Sequence, residues 1–552
     1  MKHRTKEIIE YLLCIAVFSL CIGVSVLFAC RKSGYFVDEI YSYGLSNSYY
    51  APYISDIKGR NIEEQTLSRD ELLEYLTAGE EDAFAAGSVY FNQGCDVHPP
   101  LYYWLFNFIS SLFFRGSFSK WTGLSLNIFA FAGTLLALYF LSLELFGSKT
   151  SACVSMAVYG LSVLGLSAVM MIRMYALLSF FTVLLALSAV KVLKDPSRKS
   201  NYVLLFFALF FGMMTQYYFV FYAFFLCLFC IIVLLVKKDC RHAAVFSISA
   251  LAGVAAMILL FPASLKHIFV GNGQVVGGQS VLESIRDTSA YGKHIDIYKS
   301  CRNGLGGLRQ SLLLTGIVFV ALLLAWLIKN RGQITKTYFA GKLKAFPFHA
   351  LLVIIPAQIA FVCVAVMAPV QELRYIYNLV PIFAISVSLL FTLSAKLSSS
   401  LLPEKKSFPI EFSIVAAIIL LSLFSAKRLP PEHLYPEQKN YNEIVSAHSA
   451  DPCIYLTDGY ISPITQDAPQ LLCFNSVFIT GNPSSEKISE YIGDADEVIV
   501  YVDVNKFWTK GFDPDAAINE IMQANGFTDS ALLYRYCYSI YDGLSETYII
   551  SR

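Results

Sequence analysis

Long apolar runs, separated by short polar stretches, occupy most of the chain before residue 428. Runs that suit helices crossing a bilayer are Ile8–Cys30, Thr122–Phe146, Thr150–Ile172, Met174–Val192, Tyr202–Thr215, Tyr217–Val236, Ala243–Pro262, Ser311–Ile328, His349–Ala368, Ile376–Ser394 and Ile410–Ser425, about 11 spans in all. Tyr202–Thr215 is short for a crossing of ~20 residues and needs a tilt or a start before Asn201. Pro99–Phe114 is also apolar but opens on Pro-Pro, and a twelfth span there would set the basic loops on its two sides at odds. It is predicted to be an interfacial or re-entrant helix over residues 98–114. After Arg428 the pattern shortens. Cys453–Leu456, Glu497–Val504 and Leu532–Ile540 read as strands and Asp515–Ala524 as a helix ending before Gly526, which predicts a small α/β domain over 428–552.

Composition agrees. The 552 residues are 56% hydrophobic, 15% aromatic and 15% charged, against roughly 25% charged in a soluble domain. The expected fold class is a mainly α polytopic membrane protein, residues 1–427, with a small C-terminal α/β domain. A net charge of +1 excludes a dedicated nucleic-acid binder. Lysine and arginine gather at Lys2 to Lys6, Lys191 to Lys199, Lys237 to Arg241, Lys329 to Lys344 and Lys396 to Lys406. This places the N-terminus in the cytoplasm and the C-terminal domain outside the cell membrane. The thirteen cysteines show no zinc or CxxC spacing, and one disulfide among Cys453, Cys473 and Cys537 fits the outer domain. Asp458, Asp503, Asp513 and Asp515 read as turn and cap residues.

Two outer loops stand out. The first, 31–121, carries Asp38-Glu39 just past the first apolar run, an acidic helical patch at Leu67 to Asp82, and His98-Pro99-Pro100-Leu101-Tyr102-Tyr103. A carboxylate at the hydrocarbon boundary must be hydrated, paired or used, because burial without a partner costs several kcal/mol. The second, 263–307, contains Gly271, Gly273, Gly277 and Gly278 and is expected to close over a substrate, with Lys266, His267, Lys293 and His294 solvated in it. Arg173-Met174-Tyr175 and Arg374-Tyr375-Ile376-Tyr377 open later spans on the same side.

These segments together resemble the integral-membrane GT-C glycosyltransferases, in particular the protein O-mannosyltransferase and aminoarabinose transferase group (family 39). An acidic pair follows the first helix, a His-Pro helix ends the first outer loop, and Arg173-Met174-Tyr175-Ala176-Leu177-Leu178 is similar to an "R-x-Y-A-L-L" opening. Met214-Thr215-Gln216-Tyr217-Tyr218 looks like the family's "T-H-Y-Y", with Gln216 in place of histidine. The resemblance covers about residues 1–400.

It implies a polyprenyl-phosphate sugar donor, a glycan, lipid or protein acceptor, and transfer on the outer face with inversion. A lipid phosphate is already an adequate leaving group, so one base acting on the acceptor hydroxyl suffices. Adjacent residues point apart, so Asp38 and Glu39 cannot flank one sugar as a glycosidase pair does. Asp38 is expected to be the base and Glu39 to position the acceptor or a cation. His98, Arg173 and Arg374 are expected at the donor phosphate, where a guanidinium fork suits its oxygens, and Tyr102, Tyr175, Gln216 and Tyr217 at the substrate. No cofactor is expected to be required, although some members of the family use a divalent cation. A transporter or lipid flippase would carry ionisable groups near the bilayer midplane, whereas here they gather at one rim. A membrane-anchored assembly protein working through its C-terminal domain is the third reading.

Overall fold

The computed structural model describes all residues except 1, 60–61, 81, 272–304, 332–345, 368–371, 460, 506–509 and 537–543. Two compact units form. One contains Met1–Cys30, Asp96–Tyr102 and Leu124–Glu432; the other contains Arg31–Cys95, Tyr103–Gly123 and His433–Arg552. Gly273, Gly277, Gly278, Lys293 and His294 lie outside the described residues.

The first unit is helical. Among the described residues, 9 helices are long and apolar enough to cross a membrane, from Lys6–Arg31 to Pro409–Arg428. Two further predicted runs appear in altered form. Tyr202–Thr215 lies mostly within the short helix Lys199–Met213, and Thr150–Ile172 is a pair, Lys149–Gly160 and Val163–Met170, bent by 58°. The protein is therefore a polytopic membrane protein, as the apolar pattern predicted. Pro99–Phe114 yields the 13-residue helix Leu101–Phe113, short for a span.

Inside a bilayer a broken helix is tolerated only where its freed backbone groups find internal partners. Here Ser162 restarts the chain, its Oγ accepting the Gly165 N–H at 3.1 Å. Gly165 is required at that corner, because a Cβ there would lie 2.2 Å from the Tyr159 carbonyl oxygen. At the far end of the broken pair, the amide of buried Asn127 donates to the carbonyls of Val169 (3.1 Å) and Met171 (2.5 Å). The backbone then runs without helix to Arg173 before Tyr175–Lys194 begins. That helix is the most enclosed of the candidate spans, 83% of its apolar window being buried. Arg173 is thereby held at the entry to the centre of the helical unit.

The second unit is an α/β structure on one six-stranded sheet. Its strands are β1 (Gln65–Ser68), β2 (Cys453–Leu456), β3 (Ser476–Thr480), β4 (Glu497–Asp503), β5 (Asp529–Arg535) and β6 (Ser545–Ser551), in the order β1-β3-β2-β4-β6-β5. β3, β2 and β4 are parallel, and β1, β6 and β5 run antiparallel to their neighbours. The central strands are apolar throughout because both faces are covered. Ile454, Leu456, Val498, Val500 and Val502 pack with Ile488, Ile492, Ile518 and Ile521 of flanking helices. Pro514–Asn525 stops at Gly526 in the left-handed conformation (φ 73°), as expected. Asp513 caps that helix, accepting the Ala516 N–H at 3.3 Å.

β1 comes from the first outer loop. The acidic patch predicted at Leu67 to Asp82 is β1 followed by the short helix Arg69–Leu76. Its acids form a capping box: Ser68 Oγ accepts the Glu71 N–H, and Glu71 accepts the Ser68 N–H at 3.0 Å. Cys453 and Cys473 are both free, so the expected disulfide does not join them; Cys537 lies outside the described residues.

Candidate functional site

Asp38 and Glu39 lie in the first turn of the helix Val37–Asn47, in the second unit. Their environments differ. Glu39 is fully buried; its Oε2 accepts the Phe36 N–H at 2.7 Å and pairs with the Lys32 ammonium at 3.0 Å. Lys32 is equally buried, donates to the His433 carbonyl at 2.5 Å, and lies 5.1 Å from the centre of the Tyr435 ring. Burial pulls the Lys32 ammonium below its ordinary pKa, and Glu39 offsets part of that. The cation expected near Glu39 is thus a lysine of this chain. Asp38, one residue earlier, is half-buried at the positive end of the same helix.

The remaining predicted residues, Tyr102, His98, Arg173, Tyr175, Gln216, Tyr217 and Arg374, all belong to the first unit. His98 Nδ1 is 2.8 Å from Asp96 Oδ2, with the imidazole 16% exposed and the carboxylate 8%. Burial alone would push the Asp96 carboxyl up, but the His98 ring and the Arg173 guanidinium hold it below its ordinary value. Arg173 is buried. Tyr217, whose hydroxyl is electrostatically coupled to Asp96, hydrogen-bonds His267 Nδ1 at 3.0 Å. Gln216 is buried too, its Oε1 accepting the Tyr217 N–H at 2.6 Å. The Leu101 N–H, at the start of the His-Pro helix, donates to the Met214 carbonyl at 3.1 Å, so the segment 214–217 and the His-Pro turn are tied together.

His267 corrects an expectation. It is buried against Phe261 and Tyr217, whereas Lys266 beside it is exposed as predicted.

A second group lies in the same unit. Arg374 pairs with Glu372 and lies 5.3 Å from the centre of the Tyr375 ring, which meets Tyr175 edge-on at 6.4 Å and Tyr218 at 5.4 Å. Tyr377 donates to Glu432 at 2.6 Å, and burial raises the Glu432 carboxyl above its ordinary value. Tyr102 is fully buried, its hydroxyl donating to Asn127 at 3.3 Å.

An arginine that merely anchors to lipid headgroups extends its tip to the interface. Arg173 and Arg374 are instead 4% and 7% exposed, with carboxylates beside them. Sequence reasoning missed Asp96, Lys32 and Glu432, and read His267 as solvated. Only Asp96 carried a signal, two residues before His98 in Asp-Val-His-Pro-Pro.

No family model matches the sequence, and no curated protein matches it. The solved structures to which the chain is similar include the following. ArnT from Cupriavidus metallidurans, bound to undecaprenyl phosphate, is 10% identical with a TM-score of 0.48, covering 98% of this chain and 97% of that one. The oligosaccharyltransferase of Archaeoglobus fulgidus is 10% identical (TM-score 0.42; 89% and 69% covered), and arabinosyltransferase EmbB of Mycobacterium smegmatis is 12% identical (TM-score 0.36; 89% and 44% covered).

Proposed function

We propose that this protein is an inverting glycosyltransferase that moves a sugar from a polyprenyl-phosphate donor to an acceptor hydroxyl at the outer face of the cell membrane. The observation that carries the reading is the His98–Asp96–Arg173 group with Tyr217 and His267. The His98 ring and the Arg173 guanidinium act on one buried carboxylate, Asp96, the Tyr217 hydroxyl that interacts with Asp96 bonds the second imidazole, His267, and the His98 ring is partly open. A guanidinium and imidazole N–H donors held in a low-dielectric setting suit a phosphate whose charge grows as the sugar leaves. With His98 Nδ1 occupied by Asp96, Nε2 is the nitrogen directed to that task.

Asp38 is assigned as the base that takes the acceptor proton. Glu39 supports it indirectly: by holding Lys32 and the Phe36 N–H, it fixes the first turn that presents Asp38. Arg374, Tyr175 and Tyr375 supply a cation and aromatic faces suited to the lipid phosphate and sugar ring. The experiment is to incubate the purified chain with a panel of radiolabelled polyprenyl-phosphate sugars and follow consumption. Consumption of one donor, abolished in Asp38→Asn at unchanged abundance, is the expected result. No donor consumed at all rejects the reading, and full activity in Asp38→Asn rejects the base.

A further inference from the structure

The α/β unit holds a second group of ligand-type side chains that the proposed transfer does not use. His448 follows the helix Gln438–Ala447, Asp451 precedes β2, and Glu497 is the first residue of β4. β2 and β4 are parallel with Cys453 opposite Ile499, so stepping back two residues on each strand sets Asp451 beside Glu497. Two carboxylates in register on neighbouring strands repel unless a positive group lies between them. His448 Nδ1 occupies that place, 2.8 Å from Asp451 Oδ2 and 3.4 Å from Glu497 Oε2. One ring nitrogen thus lies within reach of both carboxylates.

We infer that His448, Asp451 and Glu497 form a binding site for a zinc-type divalent transition-metal ion. One nitrogen and one carboxylate oxygen from the turn 448–451 and one carboxylate oxygen from the start of β4 lie within 4.8 Å of one another, which among the described residues occurs only here. Ligands at bond lengths of ~2.0–2.1 Å around a tetrahedral ion sit roughly 3.3 Å apart, close to the two separations His448 makes. The imidazole nitrogen selects zinc, cobalt or nickel over magnesium or calcium, which favour all-oxygen shells. Side-chain exposures of 23%, 30% and 45% leave the group open to an arriving ion and leave room for water as the remaining ligand. On binding, the ion takes the Nδ1 lone pair of the neutral imidazole, whose ring proton then sits on Nε2, and its two charges offset both acids.

The test uses the full chain in detergent, stripped with a chelator and titrated with zinc alone, beside His448→Ala and Glu497→Gln. Wild type is expected to take up one more equivalent than either variant, with cobalt giving a visible absorption band in wild type only. The stripped Glu497→Gln protein, which loses one of the two like charges, should unfold at or above the wild-type temperature and serves as the folded control. Zinc uptake equal in wild type and His448→Ala overturns the site. Because the readout is metal uptake, its failure is independent of whether the protein transfers a sugar.

Discussion

Each unit buries a charged group, and the two groups are built for different ends. Lys32 and Glu39 are both fully buried, and the Glu39 carboxylate is occupied by an ammonium and a helix-terminal N–H. Asp96 and Arg173 are also buried, but Asp96 pairs with a His98 ring that stays partly open. A closed pair holds a fold together, because removing one partner strands the other charge in a low dielectric. An open group keeps a nitrogen for something outside the chain. Burial of a charge alone therefore does not mark a reaction site; burial that leaves one edge accessible does.

The sharpest way to break this contrast is at the closed pair. Lys32→Ala strands the Glu39 carboxylate and should cost about 3–5 kcal/mol, read as loss of folded protein or a large drop in unfolding temperature. Lys32→Met with Glu39→Met should recover most of that loss; a Lys32→Ala protein as stable as wild type would make the pair ornamental.

Asp96→Asn should act on chemistry instead. Losing the charge that orients the His98 ring is expected to lower kcat by roughly 10²-fold with KM little changed and stability near wild type. A loss of stability without any change in kcat would move this group into the same class as Lys32–Glu39. Arg173→Ala should weaken the polyprenyl-phosphate donor by about 10- to 150-fold, seen in direct binding, because a charge-assisted hydrogen bond is worth about 1.5–3 kcal/mol. Unchanged donor affinity would remove it from the phosphate.

A further expected effect concerns pH. Burial pushes the Asp467 carboxyl to about 7 and that of Asp503 to about 8, so the folded α/β unit holds these protons more tightly than the unfolded chain. Stability is then fullest below the ordinary carboxyl range and falls as pH rises through it towards about 8. Asp96, held low, keeps its charge across the same interval. Unfolding temperature should drop by a few degrees between about pH 5 and about pH 8, and Asp467→Asn should flatten the slope; a stability that rises over that interval contradicts the assignment.

The sequence by itself determined the spans, because twenty apolar residues in a row have few alternatives in a bilayer. It also determined the strands β2 and β4 and the helix stop at Gly526, where local pattern and backbone preference agree. It marked Arg173, Arg374 and His98 by their places at the ends of apolar runs, although it could not say that both arginines turn inward. Only the tertiary structure decided the rest. Gln65–Ser68 is too short and polar to read as a strand until β3 lies beside it, and no spacing links His267 to Tyr217 or Lys32 to the His433 carbonyl. The physical reason is common to all three. Helix and strand patterns arise between neighbours in the chain, whereas a charge survives burial only through partners that folding brings from far away.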